Sequence, residues 1–210
     1  MDKNIIHNKL SPLYNNYNEV IKPLIADIES KYQEFPDSIF NEIRAFNDHV
    51  ARCYIENVTE GNINEEIKKA ESHIVRISLD CYKYLAIWLH DYFVDFKANF
   101  DITMIDNGEF APAFYKTQVQ GIKVLREAKK NESYDKQVAF NKFEEAYNIY
   151  SELYIKIEDH FPKIMWAKKA WKLRIKENFL LILVSAVLGV VLGSIPWKSL
   201  FDKIISIFIP

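Results

Sequence analysis

Apolar residues recur at intervals of three and four along most of this chain, the period of an amphipathic helix rather than the alternation of a strand. Ser11-Pro12 opens a helix predicted to reach about Tyr32, with Pro23 bending or interrupting it, and residues 1–10 are polar and expected to be loose. After the break at Phe35-Pro36-Asp37, the residues Ile39, Ile43, Phe46, Val50 and Cys53 share a face, so a second helix is predicted from about Pro36 to Asn57. Glu60-Gly61-Asn62 turns the chain, and Asn62 with Glu65 reads as a cap and capping-box pair before a third helix starting near Ile63. The apolar face of that helix runs through Ile67, Ala70, Ile74, Ile77, Cys81, Tyr84 and Trp88 and extends as far as Phe100. Asp101 to Phe110 forms a turn around Asp106-Asn107-Gly108, and Pro112 begins a fourth helix ending near Asn131. A fifth helix from about Tyr134 carries Phe140, Phe143, Tyr147, Tyr150, Tyr154, Ile157 and Phe161 as a heptad-like seam, whose aromatic residues favour packing inside a mixed bundle over a two-stranded coil. Pro162 is placed to kink it before it continues.

The pattern then changes. Phe179 to Trp197, FLLILVSAVLGVVLGSIPW, holds no charged side chain and is apolar on every face, which is the signature of a transmembrane helix. Lys163, Lys168, Lys169, Lys172, Arg174 and Lys176 precede it, whereas only Lys198, Lys203 and Asp202 follow, so the positive-inside rule places the N-terminal body in the cytoplasm. Trp166, Trp171 and Trp197 sit where interfacial anchors belong, the last two about 39 Å apart along a straight helix. Ser185, Gly189 and Gly193 recur every four residues, a small-residue face suited to homo-oligomerisation in lipid. The sequence thus predicts an all-α protein: a cytoplasmic helical bundle of about five helices over residues 1–162, a basic juxtamembrane neck at 163–177, a transmembrane helix at 178–197 and an apolar interfacial tail at 198–210. Its expected location is the inner, cytoplasmic membrane as a single pass.

The overall charge of −2 hides an asymmetry. Residues 1–162 hold 19 Lys or Arg against 27 Asp or Glu, while residues 163–176 hold six basic groups and no acidic one. An acidic body on a basic neck argues against a general nucleic-acid surface. The two cysteines, Cys53 and Cys81, fall on apolar helix faces and read as reduced core thiols. No metal-ligand spacing and no glycine-rich phosphate loop occurs, so neither a metal nor another cofactor is expected.

Helices two and three share one constellation. Placing Ile43 over Ile67 aligns IRAFNDHVARCYIE with IKKAESHIVRISLD, and both carry H-x-x-R-x-x-x-[D/E]: His49, Arg52 and Glu56 in one, His73, Arg76 and Asp80 in the other. Such residues line a stripe beside the apolar face, and each Arg stands four residues before an acid, the spacing of an intrahelical ion pair. Two readings are open. The stripes form a partly buried polar network fixing the register of two helices, or they form a site in which the histidines and arginines hold a phosphate-bearing ligand while Glu56 and Asp80 orient the bases.

Arg44 to His49 also reads R-A-F-N-D-H, and here the chain resembles HEPN domains, all-helical bundles of bacterial conflict systems whose R-x4-6-H motif serves metal-independent RNA cleavage. By that resemblance, which covers about residues 36–90, Arg44 and His49 would be the catalytic pair, Arg44 stabilising charge on phosphorus and His49 moving protons. A five-residue separation sets the two about 140° apart around an ideal helix, and Arg44 can instead pair with Asp48.

Three functions follow as expectations. The first is a membrane-anchored, non-enzymatic effector or sensor, in organisation similar to small membrane effectors of bacterial antiphage defence. Its partners would be the lipid bilayer, further copies of itself and a cytoplasmic protein or nucleotide signal. The second is a tethered ribonuclease acting on RNA. The third is a tail-anchored scaffold recruiting a cytoplasmic partner.

Overall fold

A computed structural model describes residues 3–56 and 59–194. They form α1 (Lys3–Asn16), a π-helical turn (Tyr17–Ile21), α2 (Lys22–Tyr32), α3 (Asp37–Arg52), α4 (Glu60–Asn99), a 3₁₀ segment (Ile102–Gly108), α5 (Phe110–Asn131), α6 (Lys136–Asp159) and α7 (Phe161–Ser194). The described residues are all helix and connection, as the periodicity requires.

The chain enters its first helix earlier than expected. Residues 3–10 are helical, and Ile6 and Leu10 are buried in the core. Pro23 interrupts the rod by a specific device. Lacking an N–H, it cannot bond the carbonyl of Glu19, and its ring would crowd that group. The turn just before it widens to π geometry, with the Lys22 N–H reaching the Tyr17 carbonyl.

α3 ends at Arg52, five residues short of the predicted Asn57, because the chain must reverse into α4. The cap of α4 is Thr59, which accepts the Asn62 N–H, rather than Asn62 itself. α4 holds 40 residues and so spans about 60 Å. No single neighbour covers that length, so its two halves serve two cores. The first packs Ile63, Ile74, Ile77 and Leu85 against Ile21, Ile28 and Ile39 from α1 to α3. The second packs Leu89, Phe93 and Phe96 against Phe110, Phe114, Tyr150 and Ile157.

α5 and α6 form a hairpin whose second helix is capped by Asp135, accepting from the Gln137 and Val138 amides at 3.0 Å each. Gly121 lets the helices touch: a Cβ there would stand 2.3 Å from the Tyr150 ring, itself fully buried. The aromatic seam of α6 is spent inside the chain, Phe143, Tyr150 and Ile157 being buried. Phe161, counted in the seam, is exposed. Pro162 does not kink a continuous helix. α6 stops at Asp159, and Pro162 lies in the first turn of α7, where its missing N–H costs nothing.

α7 then leaves the bundle. Ile164 and Ala167 are buried, but every side chain from Lys172 to Val190 is exposed, including Phe179, Leu180, Leu181 and Ile182. Among the described residues no helix is long and apolar enough to cross a membrane. The predicted span at 178–197 is described only to Ser194, and its last three residues, Trp197 among them, lie outside the described residues together with the whole tail at 198–210.

Candidate functional site

The polar stripes of α3 and α4 do meet, but with different acids from those predicted. His49 donates from Nδ1 to Glu66 Oε2 at 2.7 Å, and His73 donates from Nδ1 to Glu42 Oε2 at 2.5 Å. A carboxylate can only accept, so each Nδ1 carries the proton. Arg52 lies 3.7 Å from Glu66, and Arg76 lies 3.6 Å from Glu42. The imidazoles stack on each other with centroids 5.1 Å apart and planes 20° from parallel. The result is two Glu-His-Arg groups related by exchange of the helices.

Local sequence accounts for this geometry. Glu42 stands seven residues before His49, and Glu66 seven before His73, two helical turns in each case and therefore one face. In an antiparallel pair the acid of one helix then lies opposite the histidine of the other. The alignment begun at Ile43 and Ile67 stops one residue short of Glu42 and Glu66, which also match at the same offset of 24. That missing residue was the available signal.

Glu56 and Asp80 are corrected accordingly. Glu56 lies beyond the end of α3 and is exposed, so the helical spacing from Arg52 does not exist there. Asp80 is half-buried on α4, and burial first, then the charges of Glu42 and Glu132, push its carboxyl up against the opposing pull of Lys83. Arg44 is exposed on α3, while the His49 ring faces α4 through Glu66 and His73.

Electrostatically the network is self-contained. Hydrogen bonds from His49 and Lys69 hold Glu66 below the usual carboxylate range. The histidine and glutamate side chains are largely covered, whereas those of Arg52 and Arg76 remain about half exposed, at 54% and 46%. Chemically the arrangement can fix helix register, and its two guanidiniums can meet an oxyanion at the rim. Among the described residues no group of three or more His, Cys, Asp or Glu side chains is placed to hold a metal ion. Cys53 and Cys81 are buried free thiols, and burial raises that of Cys81 to about 12, so it is unreactive.

A second polar cluster sits where α7 departs. Asp106, Asn107 and Gly108 all have positive φ, at 51°, 54° and 91°. This turn presents Asp106 to Lys163 Nζ at 2.7 Å and to His160 Nε2 at 3.7 Å. Further along, Lys168 Nζ lies 4.6 Å from the Phe100 ring centroid. Two of the six basic neck residues are therefore held by the bundle. Trp166 is exposed beside Asp106 and Asn107, and the side chain of Trp171 lies outside the described residues. On the departing part of α7, Ser185 is exposed and nothing stands within 4 Å of a Cβ built on Gly189. The side-chain surroundings of Gly193 lie outside the described residues. Compared with protein-family models, curated proteins and solved structures, the chain finds no match.

Proposed function

We propose that this protein is a membrane-anchored helical effector or sensor of bacterial defence. In this reading the bundle receives a cytoplasmic signal, a protein or a nucleotide, and passes it through α6 and the basic neck to an oligomeric segment that perturbs the inner membrane. The observation that carries the proposal is the departure of α7. A helix that exposes Phe179, Leu180, Leu181, Ile182, Leu183 and Val184 on all sides has no partner among the described residues and needs an apolar one. From Phe179 to Ser194 it covers about 24 Å, and continuation through Trp197 would bring it to about 28 Å, near the hydrocarbon thickness of a bilayer. The six basic groups that precede it suit the anionic cytoplasmic leaflet. The Asp106 clamp on Lys163 supports a coupling role, since it ties the first turn of the departing helix to the second core.

The test is expression of the full chain in bacteria, with fractionation and a potential-sensitive dye. The full chain should remain in carbonate-washed membranes and a chain ending at residue 177 should not. Overproduction should depolarise the cells, and Gly189→Ile, which crowds the small-residue face, should weaken that effect. Full-length protein that purifies freely soluble without detergent would remove the anchor from the proposal. Membrane-bound protein that never alters permeability would leave only the scaffold.

A further inference from the structure

α2 and α6 lie side by side over α4 with a groove between them. At one end a cavity of about 420 Å³ is lined by Asp27, Lys31, Tyr147, Tyr154 and Glu158. It shares Asp27 and Tyr147 with an adjoining cavity of about 530 Å³, which adds Glu19, Pro23 and Tyr82. Tyr147 and Tyr154 make one wall of the first cavity aromatic, beside Leu89 of α4. Trp88 stacks on Tyr92 at 5.4 Å and 15°, and Tyr154 leans on both rings at 6.0 and 5.2 Å.

Into this wall the protein places its own ammonium group. Lys31 Nζ lies 5.3 Å from the Trp88 centroid and 5.6 Å from that of Tyr154, and it is ion-paired to Asp27. The side chain is only 14% exposed, unusual for a lysine at the end of a surface helix. Two π faces and a carboxylate around one ammonium make a built cation site, of the kind that recognises amines in aromatic cages. Its occupant hangs on a flexible four-carbon stem that can withdraw into water. Three carboxylates, Glu19, Asp27 and Glu158, line the joined cavities against this single cation. Tyr147 and Tyr154 are both raised by burial first, with Asp27 among the charges that add to it.

We infer that the groove between α2 and α6 binds a linear alkylammonium ligand, one ammonium of which replaces Lys31 over Trp88 and Tyr154 and pairs with Asp27. The acids are strung out rather than gathered, which suits a chain of amines and not a metal ion. Asp27 and Glu158 line the same cavity, and Glu19 stands eight residues before Asp27 along the α1–α2 rod, about 12 Å away, a length a triamine can bridge. The π turn opens the groove at its other end, where Glu19 and Val20 line it; widened turns of this type are frequent at ligand sites. The chemistry is shared by free polyamines and by lysine side chains of a peptide. The inference concerns the bundle alone and does not depend on how residues 178–197 are used.

The full chain in non-ionic detergent is titrated with spermidine by calorimetry, and in a second arm with an acetylated, amidated Gly-Lys-Gly peptide. Circular dichroism and thermal melting confirm that each variant is folded. Lys31→Ala empties the site and should tighten spermidine binding about tenfold, while Asp27→Asn should weaken it about tenfold. Glu71→Gln, which removes an exposed acid on α4 outside the groove, should change nothing. Spermidine binding with the opposite effects of the two groove variants supports a free amine, and the same pattern with the peptide alone supports a lysine side chain. Failure of both ligands to bind, unchanged or weaker binding in folded Lys31→Ala, or equal loss in Glu71→Gln would overturn the inference.

Discussion

The two halves of α4 face cores of different chemistry, and each half sets its register in a different way. Around the first half the buried residues are mostly branched aliphatics, which pack well in several arrangements and so specify position weakly. There the polar network between α3 and α4 supplies what the aliphatics lack, since a one-turn slip would separate both histidines from their acids. Around the second half five of the thirteen buried residues are rings, against three of twenty around the first, and they are held at defined angles: Phe93 meets Phe114 edge-on at 88° and Tyr150 at 48°. His90 Nδ1 and the Tyr150 hydroxyl at 3.1 Å are the main polar contact within reach of that core. Register can therefore be fixed by charge in one part of a helix and by ring geometry in another.

The largest effect should come from breaking the aromatic half. Phe93→Ala should cost about 3–5 kcal/mol in urea unfolding, and Ile74→Ala in the aliphatic half about 2–5 kcal/mol. The two differ in what they release. Ile164 and Ala167 of α7 belong to the Phe93 core, so Phe93→Ala should speed tryptic cleavage at Lys163 to Lys169, whereas Ile74→Ala should leave that rate unchanged. Equal cleavage in both variants would mean that the two cores act as one.

A smaller effect tests the network. A double-mutant cycle on Glu42→Gln and His73→Ala should show coupling of about 0.5–3 kcal/mol, and one on Glu66→Gln and His49→Ala a similar value. The cycle on Arg52→Ala and Glu56→Ala should show almost none. Coupling between Arg52 and Glu56 would restore the intrahelical pairing that the fold has replaced.

The smallest effect lies where the halves join. Asp80 is held above its ordinary pKa by burial, so the folded protein keeps this proton longer than the unfolded chain does. Its ionisation thus opposes folding increasingly as pH rises through the unfolded value. Asp80→Asn should raise the melting temperature at pH 7, with the gain fading toward pH 3, where both states are protonated. A melting temperature that falls at pH 7 would show that Asp80 is better served by Lys83 than its burial implies.

Helix existence was legible because apolar residues at three- and four-residue spacing leave few alternatives, and Gly, Pro and Asn-Gly signals marked most breaks. The end of α3 was not. Cys53 keeps the apolar spacing past Arg52 and is buried, yet Tyr54 and Ile55 beside it are exposed in the turn, since the demand to reverse direction is a tertiary one, and Asn57, the next position on that face, lies outside the described residues. The start of α1 was missed for the opposite reason: among the described side chains of its first residues Ile6 and Leu10 reach the core, too few to show a period among lysines and asparagines. At the candidate site the four basic residues were found by internal alignment. Their acids were sought four residues along the same helix, whereas the partners come from the facing one. The i to i+4 rule describes what a lone helix can do, and a packed pair offers each arginine a better-covered carboxylate.

The π turn at Tyr17–Ile21 has a mechanical consequence. It carries one surplus residue, and one residue is worth about 100° of helical phase. The aspect that α1 shows to its neighbours is thereby offset from the one α2 shows, although both belong to a single rod. Were the surplus residue excised and the rod made regular, Ile6 and Leu10 would rotate about 100° away from the interior and Lys9 would swing toward the place of Leu10. The N-terminal helix thus owes its seating to one loose coil of backbone beside Pro23.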